Sequence, residues 1–309
     1  MMATIIEVEK LSKSYGGKRG IIDVSFSVGQ GEVFGFLGPN GAGKTTTIRI
    51  LMALIRADSG AAKIDGLDSW DRSVEIKRYV GYVPGEPSLD GNLTGGQILE
   101  YFAHLRGGVD QKYLKQLVER LDLDTGRKFR QYSTGNKRKV VLIQAFMHKP
   151  RVLILDEPTS GLDPLNQQEF DGMVREARDE GRTVFLSSHV LSEVEKTCTR
   201  VGIIREGKLV KIGGVHDLND IKRYEITISF AQPVPVEAFA QLEGVTNVER
   251  LTDGRALRLA MQGSADAVIK AAAHYPVVSL TSYEPSLEDV FLRYYEGDGE
   301  APKEVAGVV

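Results

Sequence analysis

Gly38-Pro39-Asn40-Gly41-Ala42-Gly43-Lys44-Thr45 is a complete G-x-x-x-x-G-K-T run between an apolar segment, Gly31 to Leu37, and an amphipathic one, Thr45 to Ile55. The first reads as a strand and the second as a helix, the setting in which this motif forms a phosphate loop. Gly38, Gly41 and Gly43 permit backbone angles that close a ring of N–H groups on polyphosphate oxygens. The helix that begins near Lys44 directs its positive end at the same point. Lys44 can reach the β- and γ-phosphates, and the Thr45 hydroxyl is placed to hold Mg²⁺. The chain is therefore predicted to bind a nucleoside triphosphate.

Around this loop the texture is that of an α/β protein. Ile5–Val8 and Ile21–Val28 alternate apolar and polar residues as half-buried strands do, with Gly16-Gly17 as the turn between them. A further strand pair is expected near Ala62–Ile64 and Tyr79–Tyr82. From Pro87 to Met147 the spacing turns helical, in Gly96–Leu105, Gln111–Leu121 and Arg138–Met147. Val152–Leu155 and Thr183–Leu186 read as buried parallel strands flanking a helix, Gln167–Glu180. Ile203–Arg205 and Lys208–Ile212 flank Glu206-Gly207, a hairpin signal. Beyond Asp220, strands at Glu225–Phe230, Val245–Leu251, Arg255–Ala260 and Val277–Ser282 alternate with helices at Pro235–Leu242 and Ala265–His274. That β-α-β-β-α-β order is ferredoxin-like. A last helix, Ser286–Tyr295, and a loose tail, 296–309, complete the reading. The expected domains are 1–222, with a helical insertion at about 87–147, and a small α+β domain at 223–295.

Composition narrows the class. The 309 residues are 42% hydrophobic and 26% charged, ordinary for a globular protein, and a net charge of −3 gives no reason to expect a nucleic-acid partner. The single cysteine, Cys198, excludes an internal disulfide and reads as a packed small apolar residue. No apolar stretch approaches the roughly 18 residues of a membrane span. Met1–Lys10 alternates like a strand and lacks a signal peptide's apolar core. His104, His148, His216 and His274 have no metal-ligand spacing.

Val152-Leu153-Ile154-Leu155-Asp156-Glu157 is an apolar run ending in two carboxylates. Alone it would read as a core strand capped by a solvated turn. Beside a phosphate loop, Asp156 is suited to hold Mg²⁺ and Glu157 to polarise the water that attacks the γ-phosphate.

Continued to Pro158-Thr159-Ser160-Gly161-Leu162-Asp163-Pro164, this segment resembles the Walker B and D-loop of ATP-binding cassette (ABC) transporter ATPases. The loop Gly-Pro-Asn-Gly-Ala-Gly-Lys-Thr-Thr, ending at Thr46, is that family's form of Walker A. Tyr132-Ser133-Thr134-Gly135-Asn136 stands at the position of its Leu-Ser-Gly-Gly-Gln signature, His189 matches its switch histidine, and Tyr15 lies where the family stacks an aromatic ring on adenine. The resemblance spans residues 5 to 212. It implies a P-loop NTPase core with an antiparallel β subdomain, an ATPase activity, and ATP with Mg²⁺ as cofactors. It implies catalytic roles for Lys44, Glu157 and His189, nucleotide contacts from Tyr15, Gly38 to Thr46, Ser133 and Gly135, and metal contacts from Thr45, Asp156 and Glu86.

Two segments depart from the family pattern. Thr134 and Asn136 replace a glycine and the glutamine of the signature, and Gly85 or Glu86 stands where a glutamine is expected. Hydrolysis rate, more than binding, is what these changes bear on. The family forms a sandwich dimer in which a second copy supplies Ser133 and the helix through Arg138–Met147 to the first copy's nucleotide. Asp163 would face that partner or simply cap the helix after it.

A motor of this kind works through a separate membrane permease, at the cytoplasmic face of the cell membrane. Ser286-Leu287-Glu288-Asp289-Val290-Phe291-Leu292 resembles the ending of motors in daunorubicin-resistance exporters, which export drugs, antibiotics or lipids. An importer motor, or a nucleotide-sensing regulator with weak hydrolysis, remains the alternative.

Overall fold

A computed structural model of the chain describes residues 3–17, 20–215, 224–251, 254–261 and 263–283. The chain divides into two units, Met1–Val215 and His216–Val309.

The first unit opens with β1 (Thr4–Ser14) and β2 (Gly20–Gly29), antiparallel neighbours whose buried Ile6, Val8, Val24, Phe26 and Val28 face the core. Next come β3 (Val33–Leu37), α1 (Lys44–Leu51), β4 (Ser59–Ile64), β5 (Leu67–Asp68), α2 (Ser73–Tyr79) and β6 (Val80–Val83). A helical stretch follows, α3 (Gly95–Leu105), α4 (Gln111–Arg120), a 3₁₀ turn at Phe129–Gln131 and α5 (Thr134–Phe146). The chain then returns through β7 (Val152–Asp156), α6 (Pro164–Asp179), β8 (Thr183–Ser188), α7 (Leu191–Thr197), β9 (Arg200–Arg205) and β10 (Lys208–Gly214).

These strands form two sheets, β2-β1-β4-β5 and β10-β9-β3-β8-β7-β6. The second is parallel except for β10, which turns back on β9 through Glu206 and Gly207, both at positive φ as a tight hairpin requires. β3, β7 and β8 are buried on every residue, the pattern of strands covered on both faces. Phe26 from the first sheet stacks on Phe34, Phe36 and Phe185 of the second, with ring centroids 5.3–5.6 Å apart. Each such pair contributes about 0.5–1.5 kcal/mol beyond its buried area, so this cluster fixes the two sheets against each other.

One expected pairing is absent. Ala62–Ile64 lies in β4 of the antiparallel sheet, whereas β6 sits at the edge of the parallel one beside β7. Alternation shows that a strand has two faces but not which neighbour it takes. Tyr79 belongs to the end of α2, not to a strand.

The second unit is a four-stranded antiparallel sheet of β11 (Tyr224–Phe230), β12 (Val245–Leu251), β13 (Ala256–Met261) and β14 (Val277–Tyr283), in the order β12-β13-β11-β14. Two short helices, α8 (Glu237–Ala240) and α9 (Asp266–Ala272), complete the ferredoxin-like order. Ile226, Ile228, Phe230, Leu257, Leu259 and Met261 pack with Phe239 and Val268 as its core. The expected helix at Ser286–Tyr295, the tail after it and His216 lie outside the described residues. Among the described residues no helix is long and apolar enough to cross a membrane.

His148, after α5, is pushed down to about 4 from an ordinary 6.5, first by burial and then by the nearby Arg106 charge. Folded, it stays neutral to about pH 4; unfolded, it takes a proton below about 6.5. Its contribution is therefore complete above pH 6.5 and lost as pH falls toward 4. Urea unfolding at pH 7 and pH 5 is expected to show a smaller acid-induced loss of stability in His148→Gln than in the wild type.

Candidate functional site

Four neighbouring strands deliver the site. In the parallel register Leu37 of β3 lies opposite Ser188 of β8, Asp156 of β7 opposite Ser187, and Val83 of β6 opposite Leu155. The strands therefore end at one level. Just beyond them come the phosphate loop, His189, Glu157 and the Pro84-Gly85-Glu86 segment, at the carboxyl edge of the sheet where α/β proteins bind ligands.

The loop itself is closed by sterics. Gly41 and Gly43 take φ of 80° and 111°, but Gly38 does not; a Cβ on Gly38 would lie 2.3 Å from the Ile204 carbonyl oxygen, so its glycine answers a lack of room. No side chain caps α1 at Gly43, which leaves the first-turn amides to an anion. Lys44 is buried, and its Nζ donates to the Gly38 carbonyl at 2.6 Å and the Pro39 carbonyl at 3.2 Å. The same Nζ is 3.0 Å from Glu157 Oε1.

Glu157 is one of eight described non-glycine residues held in the left-handed region, at φ 50°. Its amide donates to Ser187 Oγ at 3.1 Å, and Ser187 Oγ donates to Asp156 Oδ1 at 2.7 Å. Glu157 Oε2 lies 2.5 Å from His189 Nδ1. One carboxylate thus joins the phosphate-loop lysine to the histidine. Asp156 is fully buried, and its Oδ2 has no hydrogen-bond partner. Nearby Tyr82 is raised to about 12, chiefly by burial and then by the Asp156 charge.

A cleft of about 640 Å³ opens over these groups. Of the expected residues, Tyr15, Pro39, Asn40, Gly41, Gly43, Lys44, Thr45, Thr46, Glu86 and Glu157 line it. Asp156 lies beneath Gly85, where a Cβ would come within 2.9 Å of Oδ2. Ala42 is buried in the core and Gly38 packs under the loop. Ser133 and Gly135 are not part of the cleft lining. Ser133 caps α5, its Oγ accepting from the Asn136 amide at 3.2 Å, and Gly135 is so close to Gly161 that a Cβ would lie 2.6 Å from its carbonyl oxygen. Asp163 caps α6, accepting from the Asn166 amide at 3.0 Å.

Two residues escaped the sequence reading. Arg49 lines the cleft from α1, four residues after Thr45 and so on the same helix face; that spacing was the available signal. Arg138, only 2% exposed, donates to the carbonyls of Pro84 at 2.6 Å, Gly85 at 2.5 Å and Ser160 at 3.3 Å. Burial lowers its pKa, while the charges of Asp156 and Glu157 oppose that shift. No local pattern marks it, since its partners are backbone atoms distant in sequence.

Comparison with known proteins agrees with this geometry. Residues 21–160 match the ABC transporter family and residues 215–295 match the C-terminal domain of ATP-binding proteins of the DrrA1-3 type. The chain is 34% identical to the bacitracin transport ATP-binding protein BcrA of Bacillus licheniformis, over 96% of this chain and 99% of that one. It is 34% identical to the daunorubicin resistance ATP-binding protein DrrA3 of Streptomyces coeruleorubidus, over 99% of this chain and 100% of that one. A solved ATP-binding subunit of an ABC transporter superposes with a TM-score of 0.64 at 30% identity, covering 70% of this chain and 92% of its own. The fold is also that of the cassette MJ0796 in a dimeric post-hydrolysis state bound to ADP and Pi, with a TM-score of 0.62 at 21% identity, covering 68% of this chain and 99% of that one.

Ser187→Ala removes the hydrogen bond that Asp156 Oδ1 accepts and the one that the Glu157 amide donates, leaving a buried carboxylate bare. It is expected to cost roughly 1–3 kcal/mol in denaturant unfolding, an effect that an exposed serine such as Ser88 would not reproduce.

Proposed function

Since this chain belongs to the ATP-binding subunits of ABC transporters and is an ATPase of that family, we propose that it is the motor of an exporter for drugs, antibiotics or lipids. The observation that carries the export reading is the DrrA1-3-like C-terminal match, joined to near full-length similarity to the bacitracin and daunorubicin proteins. In this reading residues 1–222 are the motor domain and 223–295 an accessory domain. A separate permease provides the membrane path, and the motor works at the cytoplasmic face.

The chemistry follows from the cleft. The α1 amides and Lys44 bind the β- and γ-phosphates of ATP, and Tyr15, half exposed at its mouth, stacks on the base. Asp156 Oδ2, buried and unpartnered, suits a cation, and Thr45 supplies a second oxygen. Among the described residues no cluster of three or more carboxylate, histidine or cysteine groups could hold a metal alone. That sparse oxygen set fits Mg²⁺, which takes one or two protein ligands and completes its shell with phosphate and water. Glu86, on the cleft wall, is the further candidate ligand. Mg²⁺ when bound supplies charge neutralisation at the phosphate oxygens.

Entry of the triphosphate gives Lys44 a stronger partner than the Gly38 and Pro39 carbonyls and Glu157. Glu157 Oε1 is then released to accept a proton from the attacking water, while His189 keeps Oε2 in place. Lys44 and one cation leave part of the transition-state charge uncovered. A second copy of the chain, presenting Ser133, Gly135 and the start of α5, covers the remainder.

Phosphate release by the wild type is expected to exceed that of Lys44→Ala at least tenfold, roughly the contribution of one charged transition-state contact. Glu157→Gln should bind ATP, hydrolyse it poorly and sediment as a dimer. Equal release by wild type and Lys44→Ala in the presence of the permease would leave a nucleotide sensor, not a motor.

A further inference from the structure

α7 begins at Leu191 without a side-chain cap, for Val190 offers none. Its start is held instead by Glu193. Glu193 Oε2 accepts from Ser188 Oγ at 2.6 Å, and Oε1 accepts from Thr159 Oγ1 at 2.7 Å. Both lengths are those of hydroxyl bonds to a charged carboxylate, about twice as strong as neutral ones. Thr159 and Ser188 are buried, so neither hydroxyl has water as an alternative. Ser188 also accepts from the Val190 amide at 2.9 Å, which closes the turn around His189.

The two hydroxyls stand next to the reacting groups. Ser188 immediately precedes His189, and Thr159 comes two residues after Glu157. The Glu193 carboxylate therefore spans the turn that carries Glu157 and the turn that carries His189, whose side chains meet at 2.5 Å. Val194, fully buried, fixes the helix beneath: a Cβ on Gly35 of β3 would lie 2.6 Å from its Cγ1. Glu193 is thus anchored to the central strand at one end and to both turns at the other.

We propose that Glu193 is a positioning residue for hydrolysis: its carboxylate clamps the 157–159 turn to the 188–190 turn and so sets the approach of His189 to Glu157. The inference rests on the reading of Glu157 and His189 as the hydrolytic pair. Glu193 itself touches neither the phosphate loop, Lys44 nor Tyr15, and the triphosphate takes over Lys44 from Glu157, so ATP binding is retained. What is lost is alignment of the base, and a misplacement of about 1 Å can cost on the order of 100-fold in rate.

Steady-state kinetics on the full chain test this. Glu193→Ala is expected to lower kcat about tenfold or more, with KM for ATP within about twofold of the wild type. In a His189→Ala background the same substitution should produce little further loss, because both changes break one arrangement. If Glu193→Ala keeps full kcat while His189→Ala is impaired, the inference fails and the hydrolytic pair stands. If the two losses multiply, Glu193 acts through general stability and the inference fails again. If His189→Ala is as active as the wild type, the reading of the pair fails and takes the inference with it. Should Glu193→Ala not fold, Thr159→Val decides: it keeps the volume, removes one bond of the clamp, and should lower kcat several-fold in the wild type but not in His189→Ala. An unchanged kcat in Thr159→Val would overturn the proposal.

Discussion

Asp156 is paired with Ser187, and Leu37 with Ser188, in a register that brings four parallel strand ends to one level. A slip of one residue would turn Asp156 to the opposite face of the sheet and bring a different side chain to Ser187. The strands β3, β7 and β8 resist that slip, because every residue in them is buried and most are apolar. The apolar core thus does more than stabilise: it sets where the carboxylates emerge. Phe26 across Phe34, Phe36 and Phe185 extends the same constraint to the antiparallel sheet that carries Tyr15 beyond the end of β1.

Within that frame the charges are arranged in a chain. Lys44, buried, meets Glu157, and Glu157 meets His189. A buried ammonium without a partner would cost several kcal/mol, so Glu157 stabilises Lys44 in the same geometry that places its carboxylate beside the phosphate loop. Asp156 has a single hydrogen bond on one oxygen and none on the other, which leaves negative charge directed at the cleft floor. Glu157 takes a left-handed backbone directly after β7 ends at Asp156.

Features carried by adjacent residues were legible in the sequence. The phosphate loop, the Asp156-Glu157 pair and the Glu206-Gly207 hairpin each need only a short run, and the four strands of the second unit fall within a residue of their expected bounds. The seven-residue helices α2 and α7 were not legible, and neither carries a side-chain cap that would have marked its start. α5 begins at Thr134, earlier than its apolar spacing suggested, because Ser133 caps it through a polar first turn. Arg138 and Glu193 were invisible for a different reason. Their partners are 22 to 54 residues away for Arg138, and 34 for the Thr159 bond of Glu193; one chain without its fold cannot reveal such pairs.

The Gly85-Glu86 departure acquires a physical meaning at Gly85 from those distant contacts. A side chain there would press on Asp156 Oδ2, so this position contributes backbone alone. Its carbonyl, with that of Pro84, is bound by the Arg138 guanidinium, which also reaches the Ser160 carbonyl. A guanidinium is planar and its donors are fixed relative to one another. The Pro84-Gly85 segment, α5 and the turn after Glu157 therefore cannot shift independently without breaking a buried charged hydrogen bond, each worth about 1.5–3 kcal/mol. This chain couples these parts through backbone carbonyls, and the link runs through the buried Arg138 guanidinium.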